Sequence, residues 1–201
     1  MYGGMDRSAI SALKAADEKL INDTTAHYGS REKASAAFVN NGFYFYKNDD
    51  LVYAMRRFNQ AWLLDPNNPE VYWGLGSVLN DQGKNCAAML MMDKALKLNP
   101  PSSQGIIPDA GRMTVLCAVS DTSFSAEEKT KLLERSESLY REAEKIEPNK
   151  AYLYASWASA YYWRGQYAQA WTMVAKSRAA GGTLPERFLV LLRVKMPEPA
   201  Q

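Results

Sequence analysis

His27, Cys86 and Cys117 are the side chains of this protein best suited to chemistry, and they are scarce: the 201 residues hold one histidine and two cysteines. A zinc site built from several histidines, or from four cysteines, is therefore excluded within one chain. Any histidine-dependent triad would have to use His27. A general base needs a nucleophile and an orienting group beside it. The run Thr24-Thr25-Ala26-His27-Tyr28-Gly29 offers neither in a diagnostic arrangement. The position of His27 near the end of a predicted first helix reads as a surface histidine favoured by the helix dipole.

The acidic residues of 127–147 could suggest a metal or acid–base site. They are interleaved with Lys129, Lys131, Arg135, Arg141 and Lys145, the charge pattern of a solvated helix face with i,i+4 pairs. Gly74-Leu75-Gly76 falls inside a predicted helix rather than after a strand, so it is not a nucleotide fingerprint. Asn22-Asp23-Thr24 matches a glycosylation acceptor, a triplet frequent by chance. No catalytic residue, cofactor or metal ligand is assigned, and the chain is expected not to be an enzyme.

Composition narrows the classes further. Lys plus Arg number 24 against 22 Asp plus Glu, a formal net charge of +2, which argues against life on a nucleic-acid backbone. Apolar residues make up 47% of the chain, enough for a packed core. No apolar run reaches the ~18–20 residues that span a bilayer. The start, Met1-Tyr2-Gly3-Gly4-Met5, lacks the features of a signal peptide. A mature exported chain would look the same, so periplasm or envelope and cytoplasm both stay open.

The elements that must position these side chains come from an internal repeat. Segment 35–68 shifted by 34 residues lies on 69–102: Phe38 falls on Tyr72, Gly42 on Gly76, Phe45 on Leu79, Ala54 on Ala88, Phe58 on Met92, Ala61 on Ala95 and Pro66 on Pro100. A further copy follows the second by 82 residues, taking Tyr72 to Tyr154, Gly76 to Ala158, Gly83 to Gly165 and Ala88 to Ala170. Between them lies a degraded unit. Its second half matches at a shift of 48, with Met92 on Tyr140 and Pro100 on Pro148, and its first half, near 108–120, keeps the pattern weakly. The surplus of 14 residues is expected in the loops near 101–107 and 119–125.

Each unit holds two apolar stretches of helical spacing, parted by turn residues such as Asn48-Asp49-Asp50 and Asp81-Gln82-Gly83. The small residues Gly42, Gly76 and Ala158 allow close helix approach. Ser125-x-x-Glu128 reads as a capping box opening a long charged helix over 126–146.

This 34-residue order of large, small and proline positions resembles the tetratricopeptide repeat (TPR) family, over about 35–182. The second unit carries it best: Tyr72-x2-Leu75-Gly76-x2-Leu79, Ala88-x3-Met92-x2-Ala95, then Pro100. Asn41, the insertion and Gly182 in place of proline depart from the pattern. The resemblance implies an all-α, right-handed α-solenoid of antiparallel helix pairs in one domain, 1–201. It would comprise a capping helix in 6–30, repeats at 35–68 and 69–102, a degenerate repeat with insertion at 103–150, a repeat at 151–184 and a capping helix at 185–196. In style the chain looks like small bacterial TPR proteins and TPR lipoproteins.

In TPR-like proteins the outer face of each first helix lines a concave groove. By resemblance that face holds Val39, Phe43 and Tyr46, then Trp73, Ser77 and Asn80, then Tyr152, Ser159, Tyr162 and Trp163. Tyr and Trp anchor partners at interfaces. The Lys/Asn clamp by which some TPR proteins grip chaperone tails is absent, since Val39, Phe43 and Gly74 stand at its positions. The resemblance thus implies a non-catalytic protein–protein interaction module that takes a peptide or helix in an aromatic-lined groove. The alternative is a self-assembling structural subunit of a bacterial envelope complex, as a homo-oligomer. Cys86 and Cys117 would approach one rim of the solenoid. They are then either bonded, which implies an oxidising compartment, or two small packing residues.

Overall fold

The computed structural model describes residues 7–101 and 105–200. A short 3-10 turn, Arg7–Ala9, precedes ten α-helices, and no strand occurs among the described residues. The helices are α1 (Ser11–Tyr28), α2 (Arg31–Lys47), α3 (Leu51–Leu64), α4 (Pro69–Asp81), α5 (Asn85–Lys97), α6 (Ile106–Ser120), α7 (Ala126–Ile146), α8 (Lys150–Trp163), α9 (Tyr167–Ala179) and α10 (Glu186–Lys195). The fold class is the expected all-α solenoid of helix pairs. Residue 6 of the expected first helix and residues 102–104 of the expected insertion loop lie outside the described residues.

Local chemistry sets the helix starts. Ser30, Asp50, Asn68 and Asn149 each accept a hydrogen bond from a first-turn N–H, at 3.2, 3.0, 3.0 and 3.0 Å. Pro69 follows its cap at the first helical position, where its missing N–H costs nothing. Ser125 and Glu128 form the expected capping box, with bonds of 3.2 and 2.8 Å. Between paired helices the chain turns through a left-handed residue at the same repeat position three times, Asp49, Gly83 and Gly165. Two of the three are glycine, the residue that adopts this conformation without a Cβ penalty.

Two expectations change. The helix α2 starts at Arg31, four residues ahead of the expected repeat boundary at 35, because Ser30 caps it there. The insertion mostly lengthens a helix: α7 has 21 residues where α5 and α9 have 13. The five residues 121–125 make a short turn before it.

The chain divides into two compact units, Met1–Gly83 with Lys94–Asn99, and Lys84–Asp93 with Pro100–Gln201. In the first, α3 packs between α2 and α4, and α1 lies on α2 and α3. Phe58 is the centre of its core and is fully buried. Its ring fits because Gly42 and Gly74 carry no side chain there. Arg31 seals the end of α3 by donating to the carbonyls of Leu63 and Leu64 at 2.9 and 2.8 Å, a cation at the negative pole of a helix.

In the second unit α6 pairs with α7, α8 with α9, and α6 with α8. Tyr140 is fully buried and takes the part Phe58 has in the first unit: its ring lies against Gly111. It stacks on Trp157 at 5.1 Å, which in turn stacks on Tyr161 at 5.8 Å. The Tyr140 hydroxyl donates to the Ser156 carbonyl at 3.1 Å, so this buried donor is satisfied. Leu189 and Leu192 seat α10.

Candidate partner-binding faces

In the first unit, α2 and α4 bring Phe43 and Trp73 together with ring centroids 4.8 Å apart. Phe43 also meets the buried ring of Phe58 edge-on at 5.1 Å and Tyr46 edge-on at 6.5 Å. Phe43, Tyr46 and Trp73 are all half-buried. They form a continuous aromatic surface braced from beneath by the core. Two expected members of this face are withdrawn from it. Val39 is fully buried, because its helix turn faces inward, and Ser77 is only 6% exposed. The Ser77 hydroxyl donates back to the Trp73 carbonyl at 3.0 Å within α4. Asn80 lies two turns beyond Trp73 on the same helix. Its side-chain amide donates to Asp81 at 3.2 Å, while its Oδ1 accepts no hydrogen bond from the protein.

The second unit presents a different chemistry. Tyr152, partly exposed at the start of α8, donates its hydroxyl to Asp109 Oδ1 at 2.7 Å. Arg112 Nη2 holds the same oxygen at 3.1 Å. Burial, then the Asp109 charge, pushes the Tyr152 hydroxyl far above the ordinary phenol range. Ser159 is half-buried. Tyr162 is capped by Phe188 of α10 at 5.7 Å and flanked by Trp163 and Tyr167 at 5.4 and 5.9 Å. It therefore forms the seat of the C-terminal helix rather than an open face, whereas Trp163 stays half-exposed.

Asp109 and Arg112 are not legible as site residues in the sequence, because the degraded third unit leaves its register undefined. A signal is present in Gly111. It stands to Tyr140 as Gly42 stands to Phe58, and matching the two glycines puts Arg112 in the place of Phe43.

Other candidates also find their places. His27 is exposed at the end of α1, edge-on to Tyr28 at 4.6 Å. The carboxylates of α7 do more than solvate a face. Glu137 accepts from Tyr161 at 3.1 Å and pairs with Arg164 at 3.2 Å, while Glu144 binds Lys176 and Tyr154, each at 3.0 Å. Arg135 pairs with Asp93. Glu147, just past the helix, is buried and accepts from the Gly105 N–H at 3.2 Å. No cluster of His, Cys, Asp and Glu able to hold a metal occurs among the described residues. Cys86 on α5 and Cys117 on α6 are joined as a disulfide with Cα atoms 4.5 Å apart, both within the second unit. Among the described residues no helix is long and apolar enough to cross a membrane.

No family model and no curated protein matches the chain. Among solved structures, the crystal structure of a thermophilic TPR protein from Thermus thermophilus matches with a TM-score of 0.68 at 21% identity, covering 82% of this chain and 84% of that one. With the repeat and the helix pairing above, this gives the chain a TPR-type fold.

Proposed function

We propose that the protein is a non-catalytic protein–protein interaction module and that the aromatic face of its first unit receives a peptide segment or an amphipathic helix of a partner. The observation that carries this reading is the braced set of Phe43, Tyr46 and Trp73, all half-buried, with the Phe43 ring meeting each of the other two. Rings held by a core lose little freedom on binding, and each such anchor is worth more than roughly 1 kcal/mol when a partner covers it. The near-neutral charge balance favours protein over nucleic acid as the ligand. The Cys86–Cys117 bond favours an oxidising compartment, and so an exported protein.

The test compares wild type with a Phe43→Ala/Trp73→Ala variant in affinity capture from native extract, with binding of the captured partner then measured in isolation. The expected result is a partner whose affinity falls at least about tenfold in the variant. Unchanged affinity in a variant that keeps its helical circular dichroism would overturn the assignment of this face.

A further inference from the structure

Cys86 and Cys117 are bonded to each other but sit in unlike surroundings. Cys117 is fully buried in the last turn of α6, where its carbonyl accepts from the Asp121 N–H at 3.1 Å. Cys86 is half-buried in the first turn of α5, the second residue of that helix. A reagent arriving from water therefore meets one sulfur of the bond and not the other. Beside that sulfur stands a carboxylate: Asp121 Oδ2 lies 3.8 Å from Cys86 Sγ. Its place is fixed. Asp121 Oδ1 accepts from the Ser123 hydroxyl at 2.7 Å and from the Ser123 N–H at 2.9 Å. One residue earlier in each segment, Asn85 Nδ2 donates to Ser120 Oγ at 3.0 Å and ties the same two stretches together. The two bonds from Ser123, then the charge of Lys129, hold the Asp121 carboxyl below the ordinary aspartate range, so it is ionised at neutral pH.

We propose that Cys86 Sγ is the site of thiol–disulfide exchange on this protein, and that Asp121 makes it select cationic thiols over anionic ones. In the exchange an incoming thiolate attacks Cys86 Sγ. A new sulfur–sulfur bond forms there, the bond to Cys117 breaks, and its electron pair leaves on the Cys117 sulfur, which takes a proton from water. The incoming thiol is oxidised to the mixed disulfide, and Cys117 is reduced to the thiol. The departing thiolate is buried at the negative pole of α6, which makes it a poor leaving group. The positive pole of α5 draws thiolates of every kind toward Cys86. Asp121 then sorts them by the rest of their charge: a carboxylate on the incoming molecule is repelled, and an ammonium is attracted. The bond thus resists acidic thiols of the glutathione kind and yields to basic ones. This site lies within the second unit and does not depend on the aromatic face of the first.

Reduction of the full chain by excess cysteamine, a cationic thiol, and by mercaptoacetate, an anionic one, tests the proposal. Rates are compared between wild type and Asp121→Asn, so the intrinsic reactivity of each thiol cancels. Asparagine keeps the acceptor for Ser123. The ratio of the mercaptoacetate rate constant to the cysteamine rate constant should rise at least about threefold in the variant, as expected for unit charges about 4 Å apart at a protein surface. A second measurement, on wild type alone, reads the point of attack. Acid-quenched samples mapped by mass spectrometry should carry the cysteamine adduct on Cys86 with a free thiol at Cys117. An adduct on Cys117, or a ratio that is unchanged or lower in Asp121→Asn, would overturn it.

Discussion

Phe58 occupies the space that a side chain on Gly74 would need: a Cβ built on Gly74 would lie 2.1 Å from Cε1 of the ring. Gly42 meets the same ring from the preceding first helix, at 2.5 Å. The two glycines let α3 sink its aromatic residue between α2 and α4, and the outer edge of that ring supports Phe43 at 5.1 Å. The aromatic face proposed to receive a partner is thus built on the same contact that closes the core.

Gly74→Ala reads that contact. In an open helix the change stabilises by about 1 kcal/mol. Here the fully buried ring has no free space to enter, so overpacking wins and the variant should lose about 1–3 kcal/mol. Urea unfolding measures the sign. In a Phe58→Leu background the same substitution should cost less, a coupling expected of residues in direct contact. Stabilisation of the single variant would disprove the packing described.

The Cys86–Cys117 bond closes a loop of sequence separation 31. Reduction, or a Cys86→Ala/Cys117→Ala variant, should lower stability by about 2–4 kcal/mol. Thermal unfolding with and without reductant gives the difference, and thiol titration of the unreduced protein should find no free cysteine. An equal melting temperature in both states would contradict a structural bond.

Alkaline pH should weaken the second unit. Burial, then the charge of Glu137, pushes the Tyr161 hydroxyl up to about 12 from 10.0. Burial raises Tyr140 and Tyr152 as well. The unfolded chain gives up these protons near pH 10 while the folded chain keeps them, so above that pH the unfolded state binds fewer protons. The stabilisation is complete below pH 10 and is lost as pH rises from about 10 through 12. Urea midpoints should be flat in this respect below pH 10 and fall above it, and Tyr161→Phe should make the fall shallower. Phenolate absorbance should reveal tyrosines that ionise only above the range of the unfolded chain.

Ser125→Ala removes the side chain that accepts the Glu128 N–H at 3.2 Å at the head of the longest helix. The expected cost is about 1 kcal/mol, read as a lower urea midpoint. Ser125→Asp should retain most of the stability, since aspartate also caps.

Much of the fold is legible from short-range chemistry. Ser125 with Glu128, Pro69 after Asn68, and the turn residues Asp49, Gly83 and Gly165 act over a few residues and announce themselves in order along the chain. The candidate site is less legible. Phe43, Tyr46 and Trp73 stand out because their units keep register with the repeat. Val39 belongs to the same face by pattern and is buried, and Tyr162 belongs to an open face by pattern and lies under Phe188. Both depend on which neighbouring helix covers a residue, and a repeat pattern does not carry that information. Arg112 escapes notice because its unit has lost the large-and-small pattern that defines register.

By itself the sequence determined the order of the helix pairs, the starts of α4 and α7 and the aromatic character of the first unit's face, because periodicity, capping and turn conformation are local. Tertiary structure decided the rest. It joined Cys86 to Cys117 across 31 positions, turned the carboxylates Glu137 and Glu144 from solvated charges into ties between α7 and its neighbours, and left one side of α10 bare. Each of these depends on distances between residues far apart in the chain, which exist only once the helices have packed.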